Sequence, residues 1–175
     1  MKQFKQLLKI SLITLMFTAS AYASNKGQID FADLSSFYGE PKVEINLSAS
    51  LMSMIGSFAK GEDPEVAEIL SNLDFIKVRV YNLNGKAEKA NATLDKVSSK
   101  LRAANWETLV TVNDNEENKK VRIFSKSTND VIDGIVVMVV SPEKEGGEAV
   151  FINIVGEIDP NKIAKITENL DIDIN

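Results

Sequence analysis

The sequence predicts an α+β fold: a two-layer sandwich in which one mixed, mostly antiparallel sheet carries helices packed on one face. Three observations lead there. Ala87, Ala90, Leu94, Val97, Leu101 and Ala104 fall three or four residues apart, the spacing of one helix face. Four strand-like runs then follow between 106 and 157 with short turns between them, and strands joined that way are largely antiparallel. One of these runs, 131–140, is nearly all apolar and β-branched, as expected of a central strand covered on both sides.

In chain order, residues 1–23 read as a cleavable signal peptide. Lys2, Lys5 and Lys9 make a basic start without acids, residues 10–19 form an uncharged apolar run, and Ala21-Tyr22-Ala23 supplies the small-x-small site before Ser24. The apolar run falls well short of the ~20 residues that span a bilayer, so no stable membrane anchor is expected after cleavage. With no cysteine to carry a lipid, the exported product is expected to be soluble, in the periplasm or released from the cell.

Residues 24–40 show no sustained period and are expected to form an N-terminal segment ahead of a single domain spanning 41–175. Val43, Ile45 and Leu47 alternate with polar residues in a first strand. Ser48 can cap a helix whose expected buried stripe is Leu51, Ile55, Phe58 and Ala59, ended by Gly61. Asp63-Pro64 restarts a helix with a capping carboxylate and a preset dihedral, and Val66, Ile69, Leu70 and Leu73 form its face. A strand over 75–83 ends at Asn84-Gly85, and the helix from Ala87 stops at Asn105. The four runs are 106–112, 119–126, 131–140 and 149–157, with a polar loop at 113–118 and a charged turn at 142–147. Asp159-Pro160 repeats the cap-plus-Pro signal before a short closing helix with Ile163, Ile166 and Leu170.

Composition excludes more than it assigns. The chain of 175 residues has 20 basic and 25 acidic residues; removing the three signal lysines leaves 17 bases against 25 acids, a net charge of −8. Such an excess of acid argues against nucleic acid, whose phosphates reward Lys and Arg. Without cysteine there is no disulfide staple, and without histidine there is no Ser-His-Asp triad, His-ligated zinc or histidine switch. No cofactor or metal motif is present.

The segment Val150-Phe151-Ile152-Asn153-Ile154-Val155-Gly156-Glu157-Ile158-Asp159-Pro160, preceded by a strand opened by Trp106 and an apolar strand led by Gly134, resembles the domain-of-unknown-function family 4252 of small exported bacterial proteins. The resemblance covers most of the exported chain and implies export and fold. The family has no established activity to carry over. Many relatives bear a lipobox cysteine, and this chain departs from them there.

Candidate sites are few. Asn153, a polar residue inside an apolar strand, could hold a ligand, but an amide satisfied by nearby backbone explains it better. Gly156 and Asp159 complete that corner as a bend and a helix cap. Residues 113–117 offer oxygen ligands without the glycine or the distant Glu of a calcium loop, which reads as a solvated hairpin tip. Met52, Met54 and Phe58 form the candidate interaction surface, because methionine recurs on adaptable binding surfaces. Two function classes follow: a non-enzymatic periplasmic binding or protein-interaction module with an envelope protein as partner, or a carboxylate-dependent hydrolase with two acids facing each other in a cleft. The sequence leaves the oligomeric state open.

Overall fold

A computed structural model describes residues 26–142 and 146–160. The expected signal peptide and closing helix lie outside these residues, as does part of the charged turn. The elements run α1 (Ala32–Tyr38), β1 (Val43–Ser48), α2 (Ala49–Ala59), α3 (Pro64–Ser71), β2 (Leu73–Asn82), α4 (Ala87–Ala103), β3 (Glu107–Asp114), β4 (Lys119–Thr128), β5 (Val131–Ser141) and β6 (Glu148–Ile158). The strands form one sheet in the order β1-β2-β6-β5-β4-β3. The α+β class is as the sequence predicts. Every pairing is antiparallel, so the sheet is not mixed.

Local chemistry places the helix ends. Ser48 Oγ accepts from the Leu51 amide at 3.4 Å, and Asp63 Oδ1 accepts from the amides of Glu65 and Val66 at 3.1 and 3.0 Å. At the end of α4, Asn105 takes φ 60 while the Trp106 amide reaches back to the Leu101 carbonyl, a left-handed helix stop. Asn129 and Asp130, both at positive φ, make the tight turn between β4 and β5.

The helices do not share one face of the sheet, contrary to the sequence expectation. Tyr81, Phe124, Val136, Met138, Val140, Ala149 and Phe151 pack with Phe31, with Leu34 of α1 and with Ala90, Leu94 and Leu101 of α4. Leu47, Ile76, Ile135 and Ile154, which point the opposite way because strand side chains alternate, pack with Met52 of α2 and Leu70 of α3. A linear pattern of β-α-α-β cannot tell which side its helices will cover. The face bearing α4 is the main core, and α2 and α3 cover only one end of the other.

The segment before β1 takes part in the main core. Phe31 and Leu34 are buried there, and Tyr38 stacks on Tyr81 with ring centroids 5.0 Å apart. The Tyr38 hydroxyl donates to the Ala90 carbonyl at 3.2 Å. Burial pushes its phenol up to about 12, with neighbouring Tyr81 adding and a hydrogen bond with Thr93 opposing. The unfolded phenol ionises near pH 10. The stability gained by keeping Tyr38 neutral is therefore whole below pH 10 and lost as pH rises towards 12. A tyrosinate absorbance titration should show a late-ionising component that is lost in Tyr38→Phe.

Candidate interaction surface

The cross-strand register assembles a surface that no single strand displays. Val43, Val80, Val150, Val139, Val121 and Val112 are successive partners across all six strands, giving one unbroken row of valines. The adjacent row on the same face is Ile45, Val78, Ile152, Val137, Ile123 and Val110. Twelve β-branched aliphatic side chains thus stand side by side without a charge or a hydrogen-bonding group. The third row begins Leu47, Ile76, Ile154 and Ile135, and this is the row that α2 and α3 cover.

Neither of the first two rows belongs to a helix-covered cluster among the described residues. Their ends are open: Val43 is 38 % exposed, Ile45 40 %, Val110 38 % and Val112 44 %. The eight inner side chains are half-buried, as expected where β-branched neighbours shield one another laterally. An aliphatic face of this extent is uncommon on a protein working alone.

Both edges of the face are tied down from the opposite side of the sheet. Arg79 donates to the Ile45 carbonyl at 3.2 Å and to Asn46 Oδ1 at 2.9 Å, and it pairs with Glu44 at 2.7 Å. At the other edge Arg122 donates to the Val112 carbonyl at 2.8 Å and to Asn113 Oδ1 at 2.7 Å, with Asp95 at 3.8 Å. Each arginine thus fixes the backbone of a residue that ends an aliphatic row. Arg79, Arg122 and Glu44 sit behind the face, while Glu148, Lys119 and Asp114, two residues from Val150, Val121 and Val112, border the valine row on the same face.

The residues singled out from sequence fall in different places. Met52 is 1 % exposed and belongs to the core under α2, so it is not part of a surface. Met54 and Phe58 are exposed, at 52 % and 78 %. The buried stripe of α2 is Met52 and Gly56, not Leu51, Ile55 and Phe58. Gly56 sets that rotation: a Cβ there would sit 2.9 Å from the Ala67 carbonyl oxygen, so α3 approaches the bare backbone and turns Ile55 and Phe58 outward.

Asn153 is fully buried on the α4 side of the sheet. Its Oδ1 accepts from the Ile29 amide at 3.0 Å, and its Nδ2 donates to the carbonyls of Gly27 and Ile135 at 3.0 and 3.2 Å. It fastens the N-terminal segment to the sheet. Gly156, at φ 150, lets β6 pass the backbone of Asn72 and Leu73, where a Cβ would lie 2.4 Å from the Asn72 carbonyl oxygen. Asp159 follows β6, half-buried and engaged. Asn153 and Gly156 are thus occupied with backbone. At the β3–β4 turn, Asp114 accepts from the amides of Glu116 and Glu117.

Two recesses flank the N-terminal segment. A cleft of about 420 Å³ between that segment, α1 and α4 is lined by Phe31, Leu34, Phe37, Val97, Leu101 and Trp106, with Asp30 as the one acid among the described residues of its lining. A smaller recess of about 260 Å³ includes Asp30 and Glu44, and Glu44 is the carboxylate paired with Arg79. Among the described residues no three acidic side chains gather as a metal would require.

An antiparallel sheet with one face packed and the other covered, among the described residues, only at the end under α2 and α3 defines an α+β domain with an aliphatic platform. The chain belongs to the family described as Domain of unknown function (DUF4252), whose model matches residues 37–166. That match takes in all six strands and therefore both aliphatic rows. No curated protein matches the chain.

Proposed function

We propose that this chain is a non-enzymatic protein-interaction module of the cell envelope, exported by its N-terminal signal and acting in the periplasm, and that its two aliphatic rows close on an uncharged aliphatic surface of another protein chain. The observation that carries the reading is the pair of rows itself. Twelve uncharged β-branched residues in register have no use in catalysis, and aliphatic area left in water is stabilised when another surface covers it. The basic n-region, apolar run and Ala-x-Ala site support export.

The carboxylate-hydrolase alternative has Asp30 and Glu44 in one recess to work with, but Glu44 is neutralised by Arg79. Catalysis by two acids needs environments that push their ionisation apart.

A photo-crosslinking residue placed at Ile152 in the cell should give one protein adduct of discrete mass. The adduct should vanish when Val78→Lys is added, and the same residue placed at exposed Glu88 on α4 should not give it. Absence of an adduct at Ile152 contradicts the reading. So does turnover of a substrate by the purified protein that Asp30→Asn or Glu44→Gln abolishes.

A further inference from the structure

We infer that the cleft between the N-terminal segment, α1 and α4 binds the anion of one unbranched fatty acid, with the alkyl chain along Val97, Leu101 and Trp106 and the carboxylate on the Lys96 ammonium. The cleft lies on the α4 side of the sheet, away from the aliphatic rows, and is independent of the interaction reading above. Its volume of about 420 Å³ is in the range usual for small-molecule sites, about 300–1,000 Å³. Such sites pair apolar walls with a few polar groups that orient the ligand.

The shape follows from the spacing along α4. Thr93, Lys96, Val97, Lys100, Leu101 and Ala104 advance by three and one in turn, so a single strip of the helix and its C-cap lines the cleft. At 1.5 Å per residue that strip is about 16 Å long. A cleft drawn out along a helix suits a linear chain better than a compact ring system. Burial within the strip is graded: Leu101 is buried, Val97 half-buried, and Lys96 and Lys100 exposed. Apolar side chains therefore make the floor and ammonium groups the rim, which is the division an amphiphile matches.

The charge at the rim selects the head group. Lys96 leans toward α1, with its Nζ 5.4 Å from the centre of the Phe37 ring, and so stands between the two helix walls. On its own helix no carboxylate lies three or four residues from it, where Ala92, Thr93, Ser99 and Lys100 are found. Lys100 and Asp30 also line the cleft, but each is already engaged, which leaves the carboxylate to Lys96. Asp30 lines the smaller recess as well and so stands at the boundary between the two. Two bases against one acid among the described lining residues locally reverse the acid excess of the chain.

Trp106 is the one tryptophan of the chain, so its emission reports on the cleft. When dodecanoate is added below its micellar concentration to the chain from Ser24 to Asn175, that emission should shift to shorter wavelength. Equilibrium dialysis should find one dodecanoate bound per chain. Decanoate should bind about fifteenfold more weakly, because each buried methylene is worth about fourfold. Dodecyltrimethylammonium, with the same chain and the opposite charge, should bind at least about tenfold more weakly. Lys96→Glu should weaken dodecanoate about tenfold, and Val97→Phe, which fills the cleft, at least as much, both with an unchanged far-ultraviolet spectrum. Val78→Lys, on the aliphatic rows, should leave binding unchanged. Absence of bound dodecanoate overturns the inference, and so does binding without a shift in Trp106 emission. Equal affinity for dodecyltrimethylammonium also overturns it. Binding that Val78→Lys abolishes and Lys96→Glu leaves intact puts the alkyl chain on the sheet face and overturns it too, while the Ile152 adduct still decides the interaction reading by itself.

Discussion

Asn153→Ala should lower the stability of the fold by about 3 kcal/mol in urea unfolding. Its amide serves the Ile29 N–H and the carbonyls of Gly27 and Ile135, all inside the main core. Each buried polar group left without a partner costs about 1–3 kcal/mol. The total stays near the lower end because the N-terminal segment can lift away and hydrate its own groups. That relaxation gives a second readout: protease should cut near Gly27 in the variant under conditions where the parent resists. Asn153→Asp should be worse, since it loses both donated bonds and buries a charge.

Gly134→Ala should cost a similar amount, about 3 kcal/mol, by a different first event. The added Cβ would stand 2.4 Å from the Gly27 carbonyl oxygen and 2.6 Å from its Cα, with backbone and no flexible side chain in the way. The reciprocal contact is closer still: a Cβ on Gly27 would stand 2.0 Å from the Asp133 carbonyl oxygen. Either substitution pushes the segment off the sheet and so breaks the Asn153 bonds as well. The two effects share one physical event, so the double variant Gly134→Ala/Asn153→Ala should fall about 0.5–3 kcal/mol short of the sum, the range seen for coupled sites. Additive losses would show that the two residues act on separate parts of the fold.

Features settled within a few residues of chain were legible in the sequence. Asp63-Pro64 caps α3 as its chemistry dictates, and α4 begins at the expected Ala87. The stripe of α2 was not legible: counting apolar residues selects Ile55 and Phe58, whereas a glycine with no hydrophobicity of its own decides the rotation through its contact with Ala67. The N-terminal segment shows no period because it is held by backbone, through Asn153 and the Gly27–Gly134 contact, and not by a repeating side-chain face.

The aliphatic platform lay furthest from view. Each strand shows only its own alternation, and the rows exist only once six registers are set together. The apolar run of β5 suggests cover on both sides by the ordinary logic of central strands. Its Val136, Met138 and Val140 are indeed under α4, yet Val137 and Val139 lie outside both helix-covered clusters among the described residues. Where local patterning asks for cover that the described residues do not supply, the mismatch marks the surface on which function is proposed.

The most direct test of that surface compares two substitutions one row apart on the same strand, Val137→Lys and Ile135→Lys, by equilibrium unfolding in dilute solution. If the first two rows are a free surface, Val137→Lys should change stability by about 0.5 kcal/mol or less, as surface substitutions do. Ile135→Lys drives a charge under α2 and α3 and should cost about 3 kcal/mol or more. Comparable, severe losses at both positions would mean that the chain already buries the face, and the account of it as a binding platform would fail.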